Sequence, residues 1–165
     1  MRHLCFYIAF LILSAQIANA QESLSELLQR YNTKKISYIT AKELAMPKTE
    51  AIILDAREFK EYKVSHLKKA IHIGYSNFKK NILQEKNIQK EQLIVVYCSI
   101  GIRSEHIALK LKKMGYTNVY NLYGGIFEWK NNELSVYDIK NQETENVHTF
   151  SKQWSKWLKT GNKIY

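Results

Sequence analysis

Leu93-Ile94-Val95-Val96-Tyr97 runs straight into Cys98-Ser99-Ile100-Gly101-Ile102-Arg103-Ser104, and the reading of this join decides the fold. The first five residues form a continuous apolar run rich in β-branched side chains, which suits a strand buried on both faces. Beyond the loop, Ile107, Ala108, Leu111 and Met114 recur at helical spacing, and Gly115 offers a C-terminal stop. A buried strand feeding a helix through a short loop is half of a parallel crossover unit.

The flanking segments repeat that alternation. Upstream, residues 36–39 and the apolar run 51–54 read as strands. Thr40-Ala41-Lys42-Glu43 has capping-box form and opens a brief helix that must stop near Pro47. Residues 58–63 and 78–85 read as helices on either side of a short strand at 71–73. Downstream, residues 119–122 form the last strand, before Gly124-Gly125 and a short helix toward Trp129. Strands alternating with helices predict an α/β fold with a parallel sheet covered on both faces, whose site lies beyond the carboxyl ends of the strands. Cys98 stands at such an end.

The termini read differently. Arg2 and His3 precede an apolar run, and the segment closes Ile17-Ala18-Asn19-Ala20-Gln21, the pattern of a secretory signal peptide. The run falls short of the ~20 apolar residues a bilayer span needs. Residues 1–20 are therefore expected to be removed, leaving a chain that begins at Gln21. The expected location is the periplasm, with secretion or an uncleaved N-terminal anchor as the lesser options; an uncleaved segment would be the only membrane contact. Residues 21–35 read as a lead-in helix and 36–130 as the main domain. Residues 131–149 are polar and expected to be irregular. Phe150, Trp154, Trp157 and Leu158 then recur at helical spacing, predicting an amphipathic terminal helix that packs back on the domain.

The charge is +10 overall and +9 without residues 1–20, which hold one of the 25 basic residues and none of the 15 acidic ones. That balance favours anionic partners. The lysines are scattered in pairs, such as Lys68-Lys69 and Lys112-Lys113, as on solvated faces. No nucleic-acid motif is present, and nucleic acid is not an expected partner. Removal of residues 1–20 takes Cys5 and leaves Cys98 as the single thiol, so no internal disulfide can form.

The chemistry follows from the loop. Between a strand end and a helix start, successive backbone N–H groups converge on one concavity that binds anions, aided by the helix dipole. Gly101 permits backbone conformations closed to other residues. The same field favours thiolate at Cys98 without a histidine base. Arg103 adds a permanently charged fork suited to oxyanions. A thiolate in an oxyanion cradle suits displacement at sulfur or phosphorus.

This loop resembles the active-site loop of the rhodanese family, and other stretches agree in order and spacing. Leu54-Asp55-Ala56-Arg57-Glu58 with Glu61-Tyr62 matches the family's first signature. Ser65-His66-Leu67-Lys68-Lys69-Ala70 resembles its second, usually Gly-His-Ile-Pro-Gly-Ala. Gly115-Tyr116, Val119, Leu122, Gly124-Gly125 and Trp129 match its closing one. The resemblance implies a three-layer α/β/α domain with a central parallel five-stranded sheet. It implies that Cys98 takes a sulfane sulfur from a donor such as thiosulfate, holds it as a persulfide and passes it to cyanide or a thiol, protein partners included. On this reading Ser99, Ile100, Gly101, Ile102, Arg103 and Ser104 bind substrate, with Arg57 as a further candidate. Neither metal nor organic cofactor is implied. His66 is expected to pack, and His106 to lie on the surface. Ser65 in place of Gly and Lys68-Lys69 in place of Pro-Gly put the turn there in question. Ile100 and Ile102 give the loop an apolar rim, which suits a thiol or protein-borne acceptor. Two other readings stand beside this one: a persulfide relay or docking module without turnover in the cell envelope, and a phosphatase or arsenate reductase of related fold. The last class separates its Cys and Arg by five residues, against four here.

Overall fold

The computed structural model describes residues 22–165; the signal-peptide reading falls outside them. Five strands, β1 (Ser37–Ile39), β2 (Ile52–Asp55), β3 (Ile71–His72), β4 (Ile94–Tyr97) and β5 (Val119–Leu122), form one sheet in the order β1-β5-β4-β2-β3. All four pairings are parallel. The central place of β4 explains its composition, because all four of its residues are fully buried. Its side chains alternate between two cores, as the two-residue period of a strand requires. Val95 and Tyr97 face one core, Ile94 and Val96 the other.

Helices cover both faces. They are α1 (Leu24–Tyr31), α2 (Ala41–Leu44), α3 (Phe59–Val64), α4 (Ile82–Glu85), α5 (Arg103–Lys113) and α6 (Gly125–Asn131). Ile107, Ala108 and Leu111 of α5 and Leu83 of α4 pack against Ile94 and Val96. On the opposite face Leu27 of α1, Leu44 of α2 and Ile126 and Phe127 of α6 pack against Val95 and Tyr97. This is the expected three-layer α/β/α arrangement. The capping box at Thr40 is present, Thr40 Oγ1 accepting from Glu43 N–H at 3.2 Å while Glu43 accepts from Thr40 N–H at 2.8 Å.

Three readings need correction. The helix expected over 78–85 shrinks to α4, because the Lys79 N–H donates to the Ile73 carbonyl instead of entering a helical ladder. Residues 131–149 are not irregular. They hold β6 (Val136–Tyr137) and β7 (Glu143–Thr144), an antiparallel pair, and then β8 (Asn146–His148), which pairs in parallel with β9 (Asn162–Ile164). The terminal α-helix is replaced by one 3-10 turn, Trp154–Trp157. The reason is geometric. Phe150 at φ +64° and the Ser151 N–H bonded to the Thr149 carbonyl break a helical ladder at its start, and Leu158 is already extended. The apolar spacing did report burial, since Leu158, with Val136 and Val147, joins the core on the α6 face. The C-terminal extension is therefore part of one covering layer.

The second signature keeps its turn without its glycine. Lys69, where the family carries Gly, sits at φ +61°, a conformation that costs an L-residue about 1–2 kcal/mol. Its side chain is exposed. Lys69→Gly is expected to stabilise the fold by about 1 kcal/mol, read as an upward shift of the denaturation midpoint; an unchanged or lowered midpoint would show that the turn is not strained.

Candidate active site

β4 ends at Tyr97 and α5 begins at Arg103, so residues 98–102 turn the chain through the gap between two layers. Gly101 takes φ +104° there, a region barred to side-chain-bearing residues. The turn carries its N–H to 3.2 Å from Cys98 Sγ. From the first turn of α5, the Ser104 hydroxyl comes within 3.4 Å of the same sulfur. Cys98 is buried and free. Burial pushes its thiol pKa up, but the charge of Arg103, the hydroxyl and N–H of Ser104 and the Gly101 N–H outweigh burial and bring it below the ordinary thiol value. No histidine among the described residues takes part.

Ser104 has one hydroxyl proton and two acceptors. Its oxygen lies 2.7 Å from Asn121 Oδ1, while Asn121 Nδ2 donates to the Gly101 carbonyl at 2.7 Å. That second bond fixes the amide orientation, leaving Oδ1 to face Ser104. When Cys98 ionises, the proton can turn from Asn121 Oδ1 to the thiolate with no other atom moving. Asn32, just past α1, also donates to the Gly101 carbonyl at 3.0 Å, and Thr33 donates twice to Glu105 of α5. The lead-in segment thus clamps the loop from outside.

Arg103 is held, not free. Its two terminal nitrogens each lie 2.7 Å from an oxygen of Glu61, and Nη2 also donates to Ser99 Oγ at 3.0 Å. Such a planar two-point pair is the strong form of a guanidinium–carboxylate contact. Burial alone would raise the Glu61 pKa; Arg103 and Arg57, with the Glu58 N–H, bring it to about 2. Tyr75, Ile100 and Ile102 join Cys98, Ser99 and Arg103 around a cavity of about 290 Å³, which Phe150 and Trp154 close from the extension.

The structure thus brings Cys98 to Ser104 together and leaves Arg57 out. Arg57 is fully buried, bidentate on Asp55 and 2.6 Å from the Ser65 carbonyl. A guanidinium so enclosed ties β2 to the turn after α3 and cannot meet a substrate. His66 stacks on Tyr62 at 4.0 Å, and His106 is exposed. Glu61, Asn32, Asn121, Phe150 and Trp154 are site residues that sequence reasoning missed. Glu61 carried a signal in its place in the first signature, and Phe150 and Trp154 in their apolar spacing, which put them on the domain but not at the site.

Because the folded pKa of Glu61 lies below its usual value near 4.5, its contribution to stability is complete above that value and is lost as pH falls toward 2. The shift is worth about 3 kcal/mol. Glu61→Gln is expected to lower stability at neutral pH and to flatten its pH dependence between 4.5 and 2, measured by denaturant titration across that range. Parallel curves for both proteins would refute the assignment.

Comparison with known proteins bears on the same residues. The Rhodanese-like domain family matches residues 26–132. The thiosulfate sulfurtransferase GlpE of Coxiella burnetii is 35% identical over 99 residues, covering 59% of this chain and 87% of that protein. A tRNA uridine(34) hydroxylase of Onion yellows phytoplasma is 33% identical over 100 residues, 58% of this chain and 32% of that one. Among solved structures, a thiosulfate sulfurtransferase from Pseudomonas aeruginosa shares the fold at TM-score 0.56 and 22% identity, covering 76% of this chain and 24% of its own. The chain belongs to the rhodanese-like domain family.

Proposed function

We propose that this rhodanese-type enzyme moves a sulfane sulfur from a donor such as thiosulfate to a thiophilic acceptor, cyanide or a thiol, through a persulfide on Cys98. The observation that carries the reading is the position of Cys98 Sγ at the end of β4, receiving the Gly101 N–H and facing the Ser104 hydroxyl. A thiolate favoured there attacks the outer sulfur of the donor. One sulfur–sulfur bond forms and the donor's own breaks, its electron pair leaving with sulfite. The persulfide retains the anionic charge in the same cradle. The acceptor then attacks the terminal sulfur, the new bond breaks toward Cys98, and the thiolate returns. Net oxidation is zero, so no redox partner is needed.

Arg103 acts by position in this scheme. Its charge lies close enough to favour the thiolate, while Glu61 holds the fork so that the loop keeps its shape. We extend the proposal to location: the signal pattern in residues 1–20 supports an exported protein working in the periplasm, where a lone thiol on a sulfur carrier is spared pairing with another in the same chain.

Three outcomes test this. Intact mass of the chain recovered from periplasmic extract is expected to correspond to a start at Gln21. It should rise by one sulfur atom with thiosulfate and fall again with cyanide, whereas Cys98→Ser shows neither change and an unaltered melting curve. Sulfur uptake by the Cys98→Ser protein would end the mechanism; a full-length mass would end the cleavage reading alone, and absence of the chain from the extract the export reading. Removing Arg103 by itself would strand a buried carboxylate, at a cost of about 3–5 kcal/mol. The paired variant Arg103→Met/Glu61→Gln avoids that. In it the thiol pKa of Cys98, read from the pH dependence of iodoacetamide alkylation, is expected to move up, because burial is then less opposed. No upward movement would remove Arg103 from the account.

A further inference from the structure

Resting on the sulfurtransferase reading, we propose that Phe150 and Trp154 set the specificity of the site, favouring sulfane sulfur carried on an apolar body over thiosulfate. Both residues lie in the C-terminal extension, outside the segment 26–132 that the family match covers. Both line the cavity over Cys98.

Phe150 is placed there against its own preference. It sits at φ +64°, where a bulky side chain is a true outlier. The Ser151 N–H donates to the Thr149 carbonyl at 2.7 Å, so Phe150 is the centre of a γ-turn of the rare, strained hand. The surroundings hold this turn in place. His148 Nδ1 accepts the Phe150 N–H at 3.0 Å, and both the N–H and the hydroxyl of Thr149 donate to the Ile164 carbonyl, at 2.8 and 3.1 Å. The result is a ring whose centroid lies 4.8 Å from the Arg103 guanidinium carbon, although the residue remains 48% exposed. Burying its own ring therefore does not account for the strained turn; covering Arg103 and walling the cavity does.

The chemistry of the cavity follows. Among the described residues, Arg103 is the one charged side chain lining it. Glu61 and Ser99 close the edge of that guanidinium and Phe150 its face. Ile100, Ile102, Tyr75 and Trp154 supply the remaining wall. Thiosulfate would surrender the hydration of two charges in a cavity without an unpaired cation, which is unfavourable. An organic donor or acceptor with one ionised sulfur and an apolar body would place the sulfur in the cradle and the body against the rings. With an arenethiosulfonate the step balances: the Cys98 thiolate bonds to the outer sulfur, the donor's sulfur–sulfur bond breaks, and the electron pair leaves with the arenesulfinate.

The test compares kcat/KM for benzenethiosulfonate and for thiosulfate, both with cyanide as acceptor. The variants are Phe150→Asn, which removes the ring while tolerating the left-handed backbone, and Trp154→Ala. The wild type should prefer the aromatic donor, and each variant should reduce the ratio of the two kcat/KM values by about tenfold. A loss of fold would lower both rates and leave the ratio in place. A wild type that turns over both donors with no preference, or a ratio unmoved in both variants, overturns this assignment and leaves the sulfurtransferase reading intact. A wild type that takes sulfur from neither donor overturns both.

Discussion

The shape of the Cys98 loop rests on the docking of a helix that contributes no side chain to the cavity. The N–H groups of Ile126 and Phe127, at the start of α6, donate to the carbonyls of Cys98 and Ser99 at 2.9 and 3.1 Å. These bonds turn the carbonyls of the loop away from the sulfur, so that its N–H groups are what the sulfur meets. Helix and loop can come this close because Gly125 has no side chain: a Cβ there would stand 2.3 Å from the Cys98 carbonyl oxygen. The orphan donors of a helix terminus are thus spent on the protein's own loop, and the anion site is left to the other terminus, that of α5.

The ion pairs around that site form a graded set. Asp55 and Arg57 are wholly buried, with the Tyr97 hydroxyl donating to the same carboxylate. Glu61 is as deep, but its partner Arg103 reaches the cavity wall. Asp55 and Glu61 are each matched by one guanidinium, whereas Glu105, equally buried, accepts only from Thr33. The thiol of Cys98 has no ion-pair partner of its own, and its ionised form is favoured by dipoles and by the field of Arg103. A nucleophile balanced this way keeps its reactivity, whereas a direct ion pair to a guanidinium would hold it in place.

How much of this could be read in the sequence depended on distance along the chain. β4, the loop and α5 are contiguous, so residue types alone showed a buried strand, a turn needing Gly101 and a helix with one apolar stripe. The sheet followed from alternation. The partnership of Glu61 with Arg103 spans 42 residues, as does that of Asp55 with Tyr97, and no local pattern encodes either one. Arg57 was misplaced although its partners Asp55 and Ser65 are near in sequence, because only the fold shows that its guanidinium is wholly buried away from the cavity. In the extension, Phe150, Trp154, Trp157 and Leu158 gave a helical period. Burial by a 3-10 turn between two paired strands leaves nearly the same trace, and the pairing of residues 146–148 with 162–164 was invisible from one chain.

The charge of the molecule and the chemistry of its cavity work at different ranges. A formal charge of +10 produces a field that draws anions toward the surface from beyond contact distance. That field is screened within about 10 Å at ordinary ionic strength and does not distinguish a dianion from a monoanion with an apolar tail. Discrimination falls to the last few ångströms, where Arg103 is already paired and the walls are aromatic and aliphatic. Attraction and selection are therefore assigned to different parts of the chain. On the proposed reading, lysines spread over the surface bring an anionic sulfur compound near, and residues of the extension, folded back over the Cys98 loop, decide which one comes within reach of Cys98.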